Sequence, residues 1–387
     1  MAEPAMKDTI GRAQAMLRAG DRNGALKLLA EATAAEPGNH DLQLNLAMAQ
    51  RAAGNLMGSL AALNDALAAD PYSFLAHLSK GAVLEQLDKP RLAADVYRNA
   101  LRIAPPDANT PPSLKAPIAR ARELVAEQAQ ALASHLHDTL ADLRGSESTS
   151  EMRRFDESVD VLAGVTRVFD AEPVQLHYPR LPAIPFFDRS YFPWMEQLEA
   201  STDVIREELV TLLEQGLPGF SPYVQYARGT PENQFAPLNH NDSWSSLWLW
   251  KDGVRQDEAV ARCPKTAAIL EGLPLSDQPG FAPTALFSAL APKTKIPPHT
   301  GSTNTRLLVH LPLVLPGPAG FRVGNETREW AIGEAWAFDD TIEHEAWNDA
   351  DETRVIMIFD IWNPLLSEEE KALVRELLIA NRDWRQT

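Results

Sequence analysis

Two histidines and one arginine in the last quarter of the chain have the types and the spacing of a metal-binding site. His299 and His344 lie forty-five positions apart (344 minus 299), and Arg354 follows the second histidine by ten positions. The chain between the histidines predicts strand, turn and strand. Imidazole suits iron, and an arginine fork matches a carboxylate. The pattern therefore predicts a two-histidine metal site beside a cation, although either histidine alone would more commonly be a structural residue at a strand end.

An ordered series of short motifs between residues 288 and 362 resembles the aspartyl/asparaginyl β-hydroxylase family. The matching segments are, in order, His299-Thr-Gly-x-Thr-Asn-x-Arg-Leu, His310-Leu, Asn325-Glu-Thr, Gly333-Glu, Phe338-Asp-Asp-x-x-x-His344-Glu-x-Trp347, Arg354 and Asp360-x-Trp-x-Pro364. Weaker similarity upstream extends the resemblance over most of residues 175–365. It implies a double-stranded β-helix, a jelly-roll or cupin-like barrel, that binds Fe(II) and uses 2-oxoglutarate and O2 as co-substrates to hydroxylate a C–H bond.

The resemblance also implies which side chains bind the metal. His299 and His344 match the two iron ligands. Gly301 stands where most of the wider dioxygenase superfamily has a carboxylate ligand, so we expect two histidines with water completing the site. Asp339 or Asp340 could orient an imidazole N–H without binding the metal. No catalytic residue is expected beyond the metal centre.

Four further residues are expected to hold 2-oxoglutarate. Arg354 matches the residue that pairs with the distal carboxylate, Ser288 matches a hydroxyl that assists it, and His310 matches a neighbour of the co-substrate. Leu308 departs from the animal enzymes, which have a second arginine there. Residues 306, 308 and 310 share one face of a predicted strand, so we expect Arg306, or His310 alone, to hold the metal-side carboxylate.

Three tryptophans alternate along a predicted strand. On one interpretation, Trp244, Trp248 and Trp250 line a substrate cleft. On the other they pack one face of the strand into the core, which is the commoner role of alternating tryptophans.

Residues 5–106 predict helical repeats with a period of thirty-four residues. Pro37, Pro71 and Pro105 recur at that spacing. Small residues recur in the same register, namely Ala25, Ser59 and Ala93, and Ala32, Ala66 and Ala100. This period resembles the tetratricopeptide repeat, and three repeats are expected to stack as an α-solenoid. Two roles for these repeats are equally open. One is a docking surface for a peptide or protein, and the other is a spacer or dimerisation module.

The remainder of the chain predicts a second, β-rich domain. Residues 107–171 predict a capping helix at 113–144 and a polar linker or lid at 145–160. Residues 172–387 predict one or two helices at 190–215, many short strands, and a C-terminal helix from 367. The expected strands are 222–226, 243–250, 285–290, 306–315, 320–325, 327–332, 334–339 and 355–362. The fold class is therefore α + β multidomain, an α-solenoid followed by a double-stranded β-helix.

Composition argues against several classes of function. The formal net charge of -17 argues against nucleic acid and against docking on anionic lipid. The single cysteine, Cys263, excludes an intrachain disulfide. No secretory signal or membrane-spanning stretch is apparent, so we expect a cytoplasmic protein without a membrane anchor.

Three functions stay open at this point. The first is hydroxylation of the β-carbon of Asp or Asn in a peptide or protein substrate. The second is hydroxylation of a lipid acyl chain or another small molecule. The third is a non-catalytic repeat scaffold with a degenerate barrel, which the intact histidine pair and Arg354 disfavour.

Overall fold

The computed structural model describes residues 3–146 and 149–386 and divides into two compact units at Arg167/Val168. The first unit is helical. Its helices are α1 (Glu3–Arg18), α2 (Arg22–Ala35), α3 (His40–Ala52), α4 (Leu56–Ala69), α5 (Phe74–Gln86), α6 (Pro90–Arg102), α7 (Pro112–Arg144) and α8 (Ser150–Ala163). None of the helices in the described ranges has the length and apolar character needed to cross a lipid bilayer.

Helix pairs repeat along the first unit. Helix α1 packs on α2, α3 on α4, and α5 on α6. Ala25, Ser59 and Ala93, which recur every thirty-four residues, are all buried where the paired helices meet. Asn39 and Ser73 cap α3 and α5 by accepting hydrogen bonds from backbone N–H groups of the first turn. The predicted repeat architecture is confirmed as a tetratricopeptide-like helical region.

The predicted linker at 145–160 is wrong for most of its length. Helix α8 occupies residues 150–163 and is capped by Thr149, whose side chain accepts a hydrogen bond from the Met152 N–H. Gly164 ends the helix in the left-handed conformation. The Ser- and Glu-rich composition resembled a loop, but it contains a good N-cap and an amphipathic helix. Glu147 and Ser148 lie outside the described residues.

The second unit is built on two antiparallel sheets. Its strands are β1 (Ser221–Pro222), β2 (Trp244–Lys251), β3 (Val254–Arg255), β4 (Ala285–Leu290), β5 (Thr294–His299), β6 (Arg306–Val314), β7 (Ala319–Val323), β8 (Glu326–Glu329), β9 (Trp336–Phe338), β10 (His344–Asn348) and β11 (Arg354–Trp362). The larger sheet has the order β1-β2-β4-β11-β6-β9, with β3 beside β2, and the smaller has the order β5-β10-β7-β8. The predicted β-rich domain is confirmed, but β5 and β10, which carry the two histidines, were not among the predicted strands.

Helices cover one face of the larger sheet. They are α9 (Met195–Ala200), α10 (Thr202–Glu214), α11 (Asp257–Arg262) and α12 (Pro264–Glu271). The last helix of the chain is α13 (Glu368–Gln386). Along β6, Leu307, Val309 and Leu311 pack with residues of α10 to α12. Leu308 packs in a second core that includes Phe321 of the smaller sheet. Strand alternation therefore divides each central strand between a core under the helices and an interior shared with the smaller sheet.

Candidate active site

The two histidines predicted to bind a metal lie side by side in the smaller sheet. His299 is the last residue of β5, His344 is the first residue of β10, and the antiparallel register pairs them directly. Their ring centroids are 4.0 Å apart. His344 is buried and His299 is partly buried. The fold thus brings two imidazoles that are distant in sequence to a single point.

The backbone holds each imidazole in one tautomer. Nδ1 of His299 lies 2.8 Å from the carbonyl oxygen of Pro297, and Nδ1 of His344 lies 3.0 Å from that of Ile342. A carbonyl group can only accept, so Nδ1 carries the hydrogen in both rings and Nε2 keeps its lone pair. Burial lowers the pKa of His299 and lowers that of His344 well below its ordinary value. Two neutral imidazoles with Nε2 lone pairs fit a transition-metal ion.

Among the described residues, no third protein ligand lies beside the histidine pair. Across residues 3–146 and 149–386, no group of three or more His, Cys, Asp or Glu side chains is arranged to hold a metal ion. A Cβ at Gly301 would overlap the carboxylate of Asp340. Position 301, where the sequence resemblance predicts no carboxylate ligand, therefore has no room for a side chain unless the Asp340 carboxylate moves.

Asp339 and Asp340 make hydrogen bonds that stabilise the turns next to the two histidines. The Asp340 carbonyl accepts a 2.6 Å hydrogen bond from the Gly301 N–H. The Asp339 carboxylate accepts from the N–H and the hydroxyl of Thr341. The expectation that one of these carboxylates orients an imidazole is wrong, because both Nδ1–H groups donate to backbone carbonyls. Burial raises the pKa of Asp340 to about 7.

Arg354 is a buried cation that has no counter-charge among the residues that the structure describes. It is 1% exposed, and none of its three guanidinium nitrogens has a hydrogen-bond partner. Its guanidinium carbon lies 5.1 Å from the centre of the Trp330 ring. Burial lowers its pKa to about 10, which still leaves it charged at neutral pH. A buried and unpaired guanidinium is costly until an anion joins it, so this side chain fits a carboxylate ligand.

Ser288 and His310 add polar atoms on the same side of the larger sheet as Arg354. Trp244 Nε1 donates a 3.1 Å hydrogen bond to Ser288 Oγ, which leaves the serine hydrogen available. His310 stacks on Trp330 with centroids 5.5 Å apart, and its Nδ1 has no partner. Burial, together with the nearby Arg354 charge, keeps the pKa of His310 well below its ordinary value. Trp330 thus contacts both Arg354 and His310.

Arg306 is committed to a different partner from the one predicted. Its Nη1 lies 2.5 Å from Oδ2 of Asp360, and both side chains are buried. The other oxygen of Asp360 accepts from the Thr284 N–H. Burial opposes the Arg306 charge, but the carboxylates of Asp360 and Asp340 hold its pKa above its ordinary value. The expectation that Arg306 holds a co-substrate carboxylate is corrected, because Asp360 already neutralises it.

The three tryptophans of β2 do not share one face. Trp244 and Trp248 both stack on Tyr223, with centroid separations of 4.0 Å and 5.5 Å. Trp250 instead packs in the core under the helices. The pairing with β4 shifts register between Trp248 and Trp250, and this bulge reverses the alternation. Placing Trp250 in a cleft with the other two was therefore wrong.

Sequence reasoning missed two aromatic residues at this site. Trp330 lies three residues after the Asn325-Glu-Thr motif. This nearness to a family motif is the sequence feature that could have placed Trp330 at the site. Phe235 comes from a loop and meets the His299 ring edge-on at 5.1 Å. Nothing in the local sequence marks Phe235, because its place follows from the path of the loop.

Comparison with known proteins identifies the family. The family model of aspartyl/asparaginyl β-hydroxylase matches residues 199–364. The ornithine lipid ester-linked acyl 2-hydroxylase of Rhizobium tropici is 34% identical over 202 residues, which are 51% of this chain and 67% of that protein. The chain belongs to the aspartyl/asparaginyl β-hydroxylase family. The aspartyl/asparaginyl β-hydroxylase of Mus musculus is also 34% identical, over 48% of this chain, but the match spans only 23% of that protein.

The repeats have matches of their own. A tetratricopeptide repeat model matches residues 16–81. The Yersinia enterocolitica type III secretion chaperone SycD, in complex with a peptide of the translocator YopD, is 14% identical over 32% of this chain and 92% of its own, with a TM-score of 0.29. The Arabidopsis OM64 tetratricopeptide domain is 20% identical over 30% of this chain and 93% of its own, with a TM-score of 0.27. The ligands of those domains are not assigned to this chain.

Proposed function

We propose that the protein is an Fe(II)- and 2-oxoglutarate-dependent dioxygenase that hydroxylates an aliphatic C–H bond. The observation that carries this proposal is Arg354, a buried guanidinium with three unpaired nitrogens in the domain that pairs His299 with His344. A metal ion and a dicarboxylate would satisfy both features at once. We also propose that the two sheets form the double-stranded β-helix expected of such enzymes.

The chain's own residues have positioning roles in this reaction. His299 and His344 would hold Fe(II) through Nε2, and Arg354 with Ser288 would hold the distal carboxylate of 2-oxoglutarate. Bound iron would supply the oxidative chemistry, in which 2-oxoglutarate and O2 give succinate and CO2 while one oxygen atom enters the substrate C–H bond. The aromatic side chains of Tyr223, Trp244 and the loop residue Phe235 would exclude water from this interior.

The metal-side carboxylate would be held without a second arginine. Leu308 is apolar and Arg306 is paired with Asp360. His310 is buried, largely neutral and unpaired at Nδ1, so it could donate one hydrogen bond but contribute no charge. We propose that His310 and the metal together hold this end of 2-oxoglutarate.

Two substrate classes share one chemical feature. The β-carbon of an Asp or Asn side chain is bonded to the side-chain carbonyl carbon, and carbon 2 of an acyl chain is bonded to the ester carbonyl carbon. We propose a C–H bond next to such a carbonyl as the site of hydroxylation. An Asp or Asn residue of a peptide or protein is the first candidate, with the repeats as the docking surface for it.

A lipid acyl chain is the second candidate. The observation that favours it is the relative named an acyl 2-hydroxylase, of which this chain covers a larger share than it does of the mammalian enzyme. The aromatic lining of the interior also suits an apolar chain.

The proposal is tested by turnover of the full-length protein with Fe(II), 2-oxoglutarate and O2. Succinate should form, and products from a peptide library or from acyl esters should gain the mass of one oxygen atom, labelled when labelled O2 is supplied. The Arg354→Gln variant should form neither succinate nor product. Equal succinate formation by that variant would remove the 2-oxoglutarate assignment, and labelled product in one library alone would choose between the substrate classes.

A further inference from the structure

A buried serine next to the proposed co-substrate pocket has no hydrogen-bond partner in the described part of the chain. Ser246 lies in the middle of β2 and is 0% exposed, and its Oγ makes no hydrogen bond. A hydroxyl group buried without a partner loses its hydration and gains nothing in return. Such a group in a well-packed sheet indicates a ligand that completes it.

The sheet register places Ser246 next to residues of the pocket. Ser246 pairs directly with Ser288 of β4, and Ser288 pairs with Ile356 of β11. Side chains at directly paired positions lie on the same face, with Cβ atoms about 5 Å apart. Arg354 is two residues before Ile356 and so projects from the same face of β11. Ser246, Ser288 and Arg354 therefore converge on one side of three adjacent strands.

The hydrogen-bond donors in this region outnumber the acceptors. Ser288 accepts from Trp244 Nε1 and keeps its own hydrogen. The hydrogen of Ser246 and the guanidinium N–H groups of Arg354 also have no acceptor. A carboxylate offers about four lone-pair sites and no donor, so one carboxylate can satisfy a guanidinium fork and two hydroxyl groups together.

We propose that Ser246 is a co-substrate-binding residue that donates a hydrogen bond to the distal carboxylate of 2-oxoglutarate. Its hydroxyl joins the guanidinium group of Arg354 and the hydroxyl of Ser288 on the same carboxylate. This assignment rests on the proposed function, since it needs a dicarboxylate in the pocket.

The test compares two neighbouring serines in the full-length protein. Ser245 pairs with Ala289, which packs in the core under the helices, so it faces away from the pocket. Binding of 2-oxoglutarate and of pyruvate is measured calorimetrically with Mn(II) in place of Fe(II). Pyruvate keeps the keto acid but lacks the distal carboxylate. Ser246→Ala should weaken 2-oxoglutarate about 10-fold, the effect of one hydrogen bond to a charged group, and leave pyruvate unchanged, whereas Ser245→Ala should change neither.

The outcomes separate this inference from the function on which it rests. Unchanged binding of 2-oxoglutarate by Ser246→Ala, or equal weakening of pyruvate, would overturn the role of Ser246. An effect on the Michaelis constant of the hydroxylated substrate alone would do the same. Unchanged binding by Arg354→Gln would instead overturn the proposed function. Thermal unfolding without ligand checks folding, and Ser246→Ala should be at least as stable as the parent protein, because it removes an unpaired polar group.

Discussion

His299 and His344 face each other across the β5–β10 pair, and each ring is held by the same kind of hydrogen bond. In each, Nδ1 donates to the backbone carbonyl two residues earlier, at 2.8 Å and 3.0 Å. The Nε2 lone pairs are therefore set before any metal arrives, and the metal need not compete with a proton at neutral pH. This arrangement predicts a preorganised divalent-metal site.

Replacing Arg354 should have opposite effects on stability and on binding. Arg354→Met removes a buried charge that has no partner. The free energy of unfolding of the ligand-free protein should therefore rise by roughly 1–3 kcal/mol, and its unfolding temperature should rise with it. The same variant should lose 2-oxoglutarate binding by about 100-fold or more. Calorimetric unfolding and titration measure the two effects. A destabilised variant that still binds 2-oxoglutarate would contradict this view of Arg354.

Arg306 and Asp360 should behave as a structural pair. Arg306→Met leaves a buried carboxylate alone and should cost about 3–5 kcal/mol of unfolding free energy. Adding Asp360→Leu should restore most of that loss, because neither charge is then left unpaired. Urea unfolding of the two single variants and the double variant measures the coupling. Independent, additive losses would show that the 2.5 Å contact does not stabilise the protein.

A side chain at position 301 should lower the stability of the protein. A Cβ there overlaps the Asp340 carboxylate, so Gly301→Ala should destabilise the protein by about 1–3 kcal/mol. Asp340→Ala in the same chain should relieve the overlap and recover part of the stability. Thermal unfolding of Gly301→Ala and of the double variant tests this, and a fully stable Gly301→Ala would refute it.

Asp340 should make the ligand-free protein less stable as the pH rises. Its pKa is raised from 3.8 to about 7, first by burial. The native state therefore binds this proton more tightly than the unfolded state, so the stabilisation is complete below about pH 4 and is lost as the pH rises through about 7. Asp340→Asn should match the parent protein near pH 4 and exceed it by on the order of 4 kcal/mol near pH 8.

The matched control for this titration is Asp203→Asn, since the Asp203 side chain is 96% exposed. That variant should lack the gain in stability near pH 8 that is expected of Asp340→Asn. If the Asp340→Asn difference does not change with pH, the carboxyl group does not titrate as its burial implies.

The sequence motifs drew attention to the paired histidines and the buried Arg354 because such motifs depend on residue type and order. The strands that carry them were harder to recognise. Strand β5 contains Pro297 and Pro298, and β10 follows an acidic turn, so neither has a clear alternating pattern. The bulge that turns Trp250 away and the pairing of Arg306 with Asp360 both depend on registers between distant strands. A local sequence pattern cannot contain that information.

The central claim is tested most directly by the visible spectrum of the protein under anaerobic conditions. Addition of Fe(II) and then 2-oxoglutarate should produce a weak charge-transfer band, which reports the keto acid on a protein-bound iron. His344→Ala should abolish the band, whereas His135→Ala, at an exposed position on α7, should leave it unchanged. Absence of the band in the parent protein, or its persistence in His344→Ala, would contradict the assignment of an iron and 2-oxoglutarate site.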